Sequence, residues 1–540
     1  MRSLAAVAVC GAVAAAGWAL ADRSPGHRGA PVAAQRRPVA PALASTSAPT
    51  TTSPTVASPA GVQAAWVIAE NERPGTTAWQ ITGPTNGIAG FADHVYAATG
   101  DSVTLYVSTG APRFHVEAYR MGYYGGTGAR LVWSSATTPG TEQPLCPVTP
   151  GTNMVSCDDW SPSLRVAVTP AFVPGDYLFK LVGSGGQQSY VPLTVWDPTS
   201  HAALVIKNDV YTWQAWNPYG GYDFYAGPGS CPRGVYPLCT RARVVSFDRP
   251  YGYGQGAGDF LGSEYPLVRF AEQHGLDVGY ATDLNLETDP SFLLDHKALL
   301  SLGHDECWSL PERLAAQTAE QHGVNMAFFA ASAVLRHVRL QASPLGPTRE
   351  VVDYRDSAAD PLEGKGDPRD VTGNTWSAPP ASWSEVPFVG EAYSGYLLPG
   401  VPAAPLVVAD ASAWVFQGTG VHDGSVLPAA LATDFDQFDP SQHPSDVEVL
   451  AHSPIPKDEA ETQRAAPFAD MTYYTDPTSG AGVFDSGVNS WVPDLTPCPP
   501  GANCPAPFVR QVTANVLALF GRGPAGHMQP SVPNWQRFYP

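Results

Sequence analysis

The stretch LLSLGHDECWSL, residues 299–310, joins the pattern of a buried strand to a polar turn. The apolar run KALLSL (297–302) predicts a strand that is covered on both faces, as strands of parallel sheets are. SLPE (309–312) has capping-box spacing with proline in the first turn, so a helix is expected to begin there. A buried strand that leads into a helix is the repeating unit of α/β folds.

The same alternation continues on both sides of this stretch. Short continuous apolar runs that predict strands are ALVIKN (203–208), VVSF (244–247), LDVGYAT (276–282) and VNMAFFA (324–330). Helical spacing that ends at glycine is found in SEYPLVRFAEQHG (263–275) and PFVRQVTANVLALFG (507–521). Residues 199–523 are therefore predicted to form an α/β domain, with helices on both faces of a mostly parallel sheet. Residues 340–470 are rich in loops and give no clear pattern.

The preceding region has a β rhythm instead. DSVTLYVST (101–109) and FHVEAYRMGYY (114–124) alternate apolar and polar residues, and turns rich in glycine separate the runs. PGDYLFKLVG (174–183) and SYVPLTVWD (189–197) close the region in the same style. A β-sandwich of immunoglobulin type over residues 61–198 is the expected fold.

The two ends of the chain are expected to lie outside these domains. Residues 1–21 resemble a signal peptide, and an uncleaved membrane anchor is the alternative, because the segment before the apolar stretch carries a single arginine. Residues 22–60 are rich in Pro, Ala, Ser and Thr and predict a disordered spacer. Residues 524–540 are expected to be a coil-like tail. The protein is thus predicted to be secreted or attached to the cell envelope.

The cysteines agree with export. Three local pairs can be drawn, Cys146/Cys157, Cys231/Cys239 and Cys498/Cys504, and disulfides suit an oxidising compartment. Pairing by proximity is one choice among about 15 connectivities for six cysteines. A zinc site is the rival interpretation, but none of the pairs has the usual spacing of zinc ligands. Cys307 is left over.

Charge limits the class of partner. The chain of 540 residues has a net charge of −19, and only 15% of its residues are charged. A surface this acidic repels phosphate backbones, which argues against nucleic acid as a partner. The oligomeric state stays open between a monomer and a homo-oligomer.

The polar turn after residue 303 can be interpreted in two ways. In open α/β sheets, ligands bind at the carboxyl ends of the strands, which favours a reactive site at His304, Asp305 and Glu306. The alternative is that the two acids favour a helix N-terminus and the histidine bonds a loop. Cys307 suggests a thiol nucleophile, but the adjacent anionic Glu306 disfavours a thiolate, so a buried free cysteine is the better interpretation.

Two aromatic segments are predicted to reach the same edge of the sheet. NDVYTWQAWNPYGGYDFY (208–225) follows the first strand, and FDRPYGYGQGAGDF (247–260) follows the second apolar run. The glycines of the second segment are a weak signal for a phosphate loop, because no GK[ST] is present. The tyrosines are compatible with an aromatic wall for a sugar or peptide, or with phenolate ligands of a hard metal ion.

Several long motifs together resemble the N,N-dimethylformamidase large-subunit-like family. They are YRMGYYGGTGARLV (119–132), TWQAWNPYGG (212–221), SFDRPY (246–251), LLSLGHDECWS (299–309), YYTDPTSGAGVFDSGVNSW (473–491) and RQVTANVLALFG (510–521). The resemblance covers roughly residues 61–521. It implies a β-sandwich followed by an α/β domain like that of class I glutamine amidotransferases. It also implies a mononuclear ferric ion, bound by two tyrosines and a glutamate, that hydrolyses a small formamide.

Carried over residue by residue, the resemblance predicts a site. The Fe(III) ligands would be Glu306, Tyr251 and Tyr225, the last in place of a family tyrosine that is Trp216 here; Tyr219 is the alternative substitute. The catalytic residues would be His304, Glu306 and Asp434. The substrate-binding residues would be Trp216, Asn217 and Asp305. Cys307 stands where relatives commonly have tyrosine.

Two functions follow from these expectations. The first is an exported hydrolase that cleaves the C–N bond of a small amide, in which Fe(III) polarises the carbonyl and His304 acts as a base or protonates the leaving amine. The second is a non-catalytic envelope protein that binds a glycan or peptide on the same scaffold. The intact His304-Asp305-Glu306 favours the first, and Trp216 favours the second.

Overall fold

The computed structural model describes residues 61–229, 239–499 and 502–540. The signal peptide or anchor predicted for residues 1–21 and the spacer predicted for residues 22–60 lie outside the described residues. Within the described part of the chain, no helix has the length and apolar character needed to cross a membrane.

The first folded region is built from strands, after a short helix α1 (Ala65–Asn71). The strands are β1 (Ile88–Ala92), β2 (Tyr96–Ala98), β3 (Ser102–Thr109), β4 (Arg113–Met121), β5 (Ala129–Ser134), β6 (Thr138–Pro139), β7 (Val148–Thr149), β8 (Met154–Val155), β9 (Leu164–Ala167), β10 (Gly175–Gly183) and β11 (Gln188–Trp196). One sheet has the order β1-β3-β9, and a second has the order β2-β11-β10-β4-β5, with β6 paired to β4. Alternate side chains of both sheets, such as Val103, Leu105, Phe179 and Leu193, share one hydrophobic cluster. The two sheets therefore pack face to face.

A seven-stranded sheet forms the centre of the rest of the chain. Its elements up to residue 330 are β12 (Leu204–Asn208), α2 (Val210–Ala215), β13 (Val244–Ser246), α3 (Tyr265–Gln273), β14 (Val278–Thr282), α4 (Asp283–Thr288), β15 (Ala298–Gly303), β16 (Cys307–Ser309), α5 (Leu310–Gln321) and β17 (Asn325–Ala330). The elements that follow are β18 (Arg336–Ser343), β19 (Gly346–Val352), α6 (Val386–Val389), β20 (Ala392–Leu397), β21 (Ala404–Val407), β22 (Val426–Leu431), β23 (Asp434–Gln437), β24 (Glu448–Pro454), β25 (Ala460–Thr462), β26 (Phe468–Thr475), β27 (Gly482–Asp485) and α7 (Ala506–Phe520).

The order of strands in this sheet is β14-β12-β15-β17-β27-β26-β24. The first five strands are parallel, and β26 and β24 are added antiparallel. The chain leaves β12 for β14 on one side and returns to β15 on the other. This is a topological switch point, where the carboxyl ends of neighbouring strands open a crevice. The α/β character and the mostly parallel sheet are as predicted; the immunoglobulin-like and amidotransferase-like descriptions stay predictions.

One predicted strand lies in a different sheet. VVS (244–246) forms β13, which pairs antiparallel with β19 in the four-stranded sheet β13-β19-β18-β16. An apolar run indicates that a strand is buried, but pairing depends on partners distant in sequence, which the run does not encode. Residues 340–470, which gave no clear pattern, contain the end of β18, all of β19 to β25 and the start of β26. Most of these strands are short and pair with antiparallel neighbours.

The sandwich and the α/β region share a buried interface. Tyr119 and Leu178 belong to the same hydrophobic cluster as Leu204 and Phe270. Within this interface the guanidinium of Arg120, on β4, donates to both carboxylate oxygens of Glu272, on α3, at 2.9 and 2.5 Å. Both side chains are fully buried. A buried pair that is bidentate fixes the two regions in register, because separating it would leave an unpaired charge.

Two of the proposed cysteine pairs are confirmed. Cys146–Cys157 and Cys498–Cys504 are disulfides. Cys239 is disulfide-bonded, and its proposed partner Cys231 lies outside the described residues. Disulfides are typical of oxidising compartments.

Candidate functional site

The polar turn after β15 lies at the switch point. Gly303 adopts φ +63, and a Cβ at this position would lie 2.7 Å from the Cβ of Ser263, so the chain reverses where a larger residue would clash. The next three residues connect β15 to β16. Their side chains diverge: Asp305 is directed toward the end of β12, while Glu306 and His304 meet groups from other strand ends, as described below.

Asp305 belongs to a closed, fully buried ion cluster. The ammonium of Lys207 donates to Asp305 and Glu312 at 2.9 Å each and to Asp283 at 2.5 Å. Asp305 also accepts from Ser301 Oγ at 2.7 Å. The three carboxylates are close enough together to hold a metal ion. In this structure the Lys207 ammonium is bonded to all three, and their charges raise its pKa well above the ordinary value against the effect of burial.

Glu306 belongs to a second cluster of different character. Trp216 Nε1 donates to Glu306 Oε1 at 2.9 Å, and the hydroxyl of Tyr225 donates to the same oxygen. The Trp216 and Tyr225 rings are stacked, with centroids 3.6 Å apart. Arg336 Nε lies 3.9 Å from Glu306 Oε2, and the guanidinium of Arg355 lies over the Tyr225 ring at 4.1 Å. The cluster therefore combines one carboxylate, two aromatic donors and two cations.

The pKa of the Glu306 carboxyl lies close to neutral pH. Burial raises its pKa to about 7, although Arg336, Arg355 and the Trp216 hydrogen bond act in the opposite direction. A carboxyl with a pKa in this range exchanges protons at physiological pH, which suits a general acid or base.

His304 and Asp434 form a pair beside this cluster. His304 Nε2 and Asp434 Oδ2 are 3.2 Å apart, and Ser332 Oγ donates to the same carboxylate oxygen at 3.1 Å. The His304 ring centroid lies 5.4 Å from that of Trp216. The two paired side chains are 16% and 13% exposed, so solvent reaches them, unlike the Lys207 cluster. The structure thus brings together His304, Glu306 and Asp434, which were predicted as catalytic residues.

The loop that supplies Ser332 is strained. Ser332 and Val334 have φ values of +61 and +59, a region that non-glycine residues seldom adopt. The backbone N–H of Ser332 is shared between both carboxylate oxygens of Asp436, each at 2.9 Å, and its carbonyl accepts from Leu335 N at 3.2 Å. Strain of this kind persists where the surroundings fix the backbone, and it is enriched at functional sites.

Other predicted site residues have different surroundings. Asn217 is buried and donates to Pro250 O and Gln214 Oε1 at 3.0 Å each, so it ties the two aromatic segments together. The Tyr251 ring packs edge-to-face on Trp213. Cys307 is a buried free thiol, as expected, and burial together with the Glu306 charge raises its pKa well above the ordinary value.

These contacts test the ferric site that the resemblance implies. Glu306 and Tyr225 are hard oxygen donors and lie in contact, which fits part of such a site. An indole offers no lone pair to a metal, and the Trp216 N–H is directed at the oxygen that an ion would need. Two guanidinium groups also approach this cluster. This donor set does not fit a ferric ion held by two tyrosines and a glutamate, and whether the protein binds iron stays a prediction.

Three residues of the site escaped the sequence analysis. Arg336 and Arg355 follow β17 and β19, in and beside the region without a readable pattern. Asp259 was part of the glycine-rich segment; burial raises its pKa to about 7, and the charge of His304 opposes that shift. Lone arginines before or after a strand give no local signal, because the same pattern is usual at exposed positions.

Comparison with known proteins assigns the chain to a family. The family model described as N,N-dimethylformamidase beta subunit-like, C-terminal, matches residues 115–505. No curated protein matches the sequence. Among solved structures, an uncharacterized protein from Bacillus anthracis str. Ames, at 1.4 Å resolution, is 15% identical over 20% of this chain and 84% of that chain, with a TM-score of 0.13. That score is too low to support an argument about the fold. The family match covers most of the chain, and the chain belongs to the N,N-dimethylformamidase beta subunit-like family.

Proposed function

We propose that the protein hydrolyses the C–N bond of a small amide, with Glu306 as the general base. The observation that carries this proposal is the buried Glu306 carboxyl, which accepts hydrogen bonds from Trp216 and Tyr225 and has its pKa raised to about 7 by burial. A base with this pKa is deprotonated in a substantial fraction at neutral pH and still accepts a proton readily.

In the proposed reaction, Glu306 removes a proton from a water molecule that attacks the amide carbonyl carbon. A tetrahedral intermediate forms with negative charge on the former carbonyl oxygen. Arg336 Nε, which is buried without a hydrogen-bond partner among the described residues, lies 3.9 Å from Glu306 and stabilises this charge.

The second proton transfer is assigned to His304. Asp434 orients its ring through the contact with Nε2, and Ser332 fixes Asp434 in turn. His304, in its protonated form, donates a proton to the amide nitrogen as the C–N bond breaks; Glu306 then releases its proton to solvent and His304 regains one from solvent. The products are a carboxylic acid and an amine, so atoms and charge balance.

The setting of this reaction is proposed to be extracytoplasmic, because the chain carries disulfides. The scaffold would be an immunoglobulin-like sandwich beside an amidotransferase-like α/β domain. A ferric ion, which the family resemblance implies, would supply Lewis-acid polarisation of the carbonyl; none of the proposed steps depends on it, because the donor set does not fit.

The experiment uses the full chain and a panel of N-formyl and N-acetyl derivatives of small amines. Release of primary amine is followed with fluorescamine at neutral pH. Glu306→Gln and His304→Asn are each expected to lower the rate by about a hundredfold or more. His201→Asn is the control, since His201 is 75% exposed and precedes the start of β12, whereas the site lies at the carboxyl ends of the strands. Equal rates in Glu306→Gln and the wild type would refute the proposal.

The second candidate function is non-catalytic binding of a glycan or peptide. The partly exposed Trp216 ring, stacked on the buried Tyr225, favours it, since aromatic side chains pack well against sugar and peptide groups. The same panel distinguishes the two: a protein that cleaves none of the amides and binds oligosaccharide or peptide probes through Trp216 would support this alternative.

A further inference from the structure

Arg355 presents a guanidinium whose terminal nitrogens have no partner. Its Nε donates to Asp353 Oδ2 at 2.9 Å, and its backbone N donates to Asp353 Oδ1 at 3.0 Å. Nη1 and Nη2 are buried and lack a hydrogen-bond partner among the described residues, and the side chain is 4% exposed. Buried polar groups are almost always satisfied, so this fork indicates a missing acceptor.

The position of the fork is fixed by the chain around it. Arg355 has φ +53, a left-handed conformation that is uncommon for a non-glycine residue. The two bonds to Asp353 hold this backbone and the Nε side of the guanidinium. The Tyr225 ring covers one face of the group at 4.1 Å. The fork is therefore pre-organised, with its free edge beside the ring that contacts Glu306.

Arg355 lies among other buried charged side chains. Arg241 donates to the carbonyl oxygens of Ala242, Asp353 and Tyr354, and burial together with the charge of Arg355 lowers its pKa to about 9. Burial raises the pKa of the nearby Asp223 to about 6 and that of Glu306 to about 7. Asp353 is the carboxylate paired with Arg355. This pairing leaves Nη1 and Nη2 of Arg355 unsatisfied, which is costly for buried donors, and an anionic ligand would satisfy them.

We propose that Arg355 binds a carboxylate of the substrate, so that the amide hydrolysed at this site belongs to an N-acylated amino acid. This inference rests on the proposed function and names its substrate class. A guanidinium with two free parallel N–H groups matches a carboxylate bidentately. In an N-acyl α-amino acid, the carboxylate carbon and the amide carbonyl carbon are separated by three bonds. The Arg355 guanidinium lies over the face of the Tyr225 ring, and the hydroxyl of that ring donates to Glu306, so the groups that would engage the carboxylate and the amide adjoin the same side chain.

The test compares two probes that differ only in charge. N-formylglycine carries the carboxylate, and N-formylglycinamide replaces it with a neutral amide. In calorimetric titration of the full chain at neutral pH, N-formylglycine should bind at least about tenfold more tightly than N-formylglycinamide. Sodium acetate is the third arm: binding of acetate as tight as that of N-formylglycine would show an isolated anion site and overturn the assignment to substrate.

Variants locate the effect. Arg355→Met should abolish the preference for N-formylglycine, and Arg355→Lys, which keeps the charge but loses the fork, should retain only part of it. Arg369→Met is the matched control, because Arg369 is 40% exposed and pairs with a surface aspartate. If Arg355→Met does not fold, as judged by its melting curve, Arg355→Lys decides.

The outcomes separate this inference from the proposed function. A preserved preference in folded Arg355→Met, or in Arg355→Lys at the wild-type level, would overturn the inference. The inference would also be overturned if the wild type bound both probes with equal affinity, or if it bound neither probe. Preference without release of glycine would instead count against the proposed hydrolysis, since binding is read by heat and cleavage by the free amine.

Discussion

Asp305 and Glu306 are consecutive in the sequence and lie in contrasting environments. Asp305 belongs to a cluster of three carboxylates around one ammonium, in which Lys207 reaches every member. Glu306 lies among two aromatic donors and two guanidinium groups, and both guanidinium groups have N–H groups without a hydrogen-bond partner among the described residues. Both side chains are buried. The two clusters differ in their hydrogen bonding: the Lys207 ammonium is bonded to all three carboxylates of its cluster, whereas the Glu306 cluster retains N–H groups without a partner among the described residues.

This contrast separates stability from function. A buried ion network whose members are all paired holds the strand ends of β12 and β15 together and has no valence left for a ligand. Buried donors without acceptors cost free energy, and binding a ligand that supplies the acceptors would remove this cost. We therefore expect changes at Lys207 to affect folding and changes at Glu306 to affect chemistry.

The largest effect is expected for Lys207→Met. It leaves three buried carboxylates without a counter-charge, which should cost about 3–5 kcal/mol in the free energy of unfolding. Urea unfolding followed by circular dichroism measures this. Lys297→Met, at the exposed position just before β15, is the control and should change the free energy of unfolding by less than about 0.5 kcal/mol. A loss below about 1 kcal/mol for Lys207→Met would mean that the cluster does not stabilise the fold.

Glu306→Gln should have a smaller, pH-dependent effect. The pKa of Glu306 is raised from 4.5 to about 7 in the folded state, so the folded state binds more protons than the unfolded state within that window. Its contribution to stability therefore falls as pH rises from about 4.5 to about 7, by up to roughly 3 kcal/mol.

The measurement is the unfolding free energy of the wild type and of Glu306→Gln at the two ends of this window. Relative to the wild type, the variant should gain stability as pH rises. Glu142→Gln, at an exposed position, serves as the control. If the difference between the wild type and Glu306→Gln is independent of pH, Glu306 does not titrate in this range.

Trp216→Tyr sharpens the contrast with the family. It removes the N–H that is directed at Glu306 and supplies a phenolic oxygen beside Tyr225. We expect ferric ion to bind this variant about tenfold more tightly than the wild type, equivalent to about 1.4 kcal/mol, with a visible tyrosinate charge-transfer band. Absorption spectra during iron loading measure it, and Trp216→Phe is the control. A strong band in the wild type would show that the native donor set does hold iron.

The smallest effect is expected for Cys307→Ala. The thiol is buried with a raised pKa and has no proposed chemical role, so the change should cost about 1 kcal/mol of stability and leave amide cleavage intact. Thiol labelling of the native wild type should also be slow. Loss of activity in a stable Cys307→Ala would restore the thiol as a candidate nucleophile.

The sequence predicted those parts of the fold that depend on local pattern. Continuous apolar runs gave the parallel strands β12, β14, β15 and β17, and SLPE gave the start of α5, where Ser309 Oγ accepts from Glu312 N. The sheet that contains β13 was not predictable in this way, because its pairing with β19 joins segments about a hundred residues apart in sequence.

The candidate site was predictable only in part. His304 and Glu306 could be proposed because they follow a buried strand at the ligand-binding edge. Arg355 could not, since its place beside Tyr225 depends on long-range packing. One signal was available for the Lys207 cluster, namely the lysine within the apolar run ALVIKN. Because a buried lysine is almost always paired, this lysine predicts acidic side chains at the neighbouring strand ends.

The central claim is that the carboxyl of Glu306 is the titrating group that performs the chemistry. The most direct test is the pH profile of kcat/KM for release of amine from the panel amide that is cleaved fastest. In the wild type, kcat/KM should rise with an apparent pKa of about 7, and Glu306→Gln should lose this rise together with most of the rate. A Glu306→Gln enzyme with the wild-type profile would contradict the account.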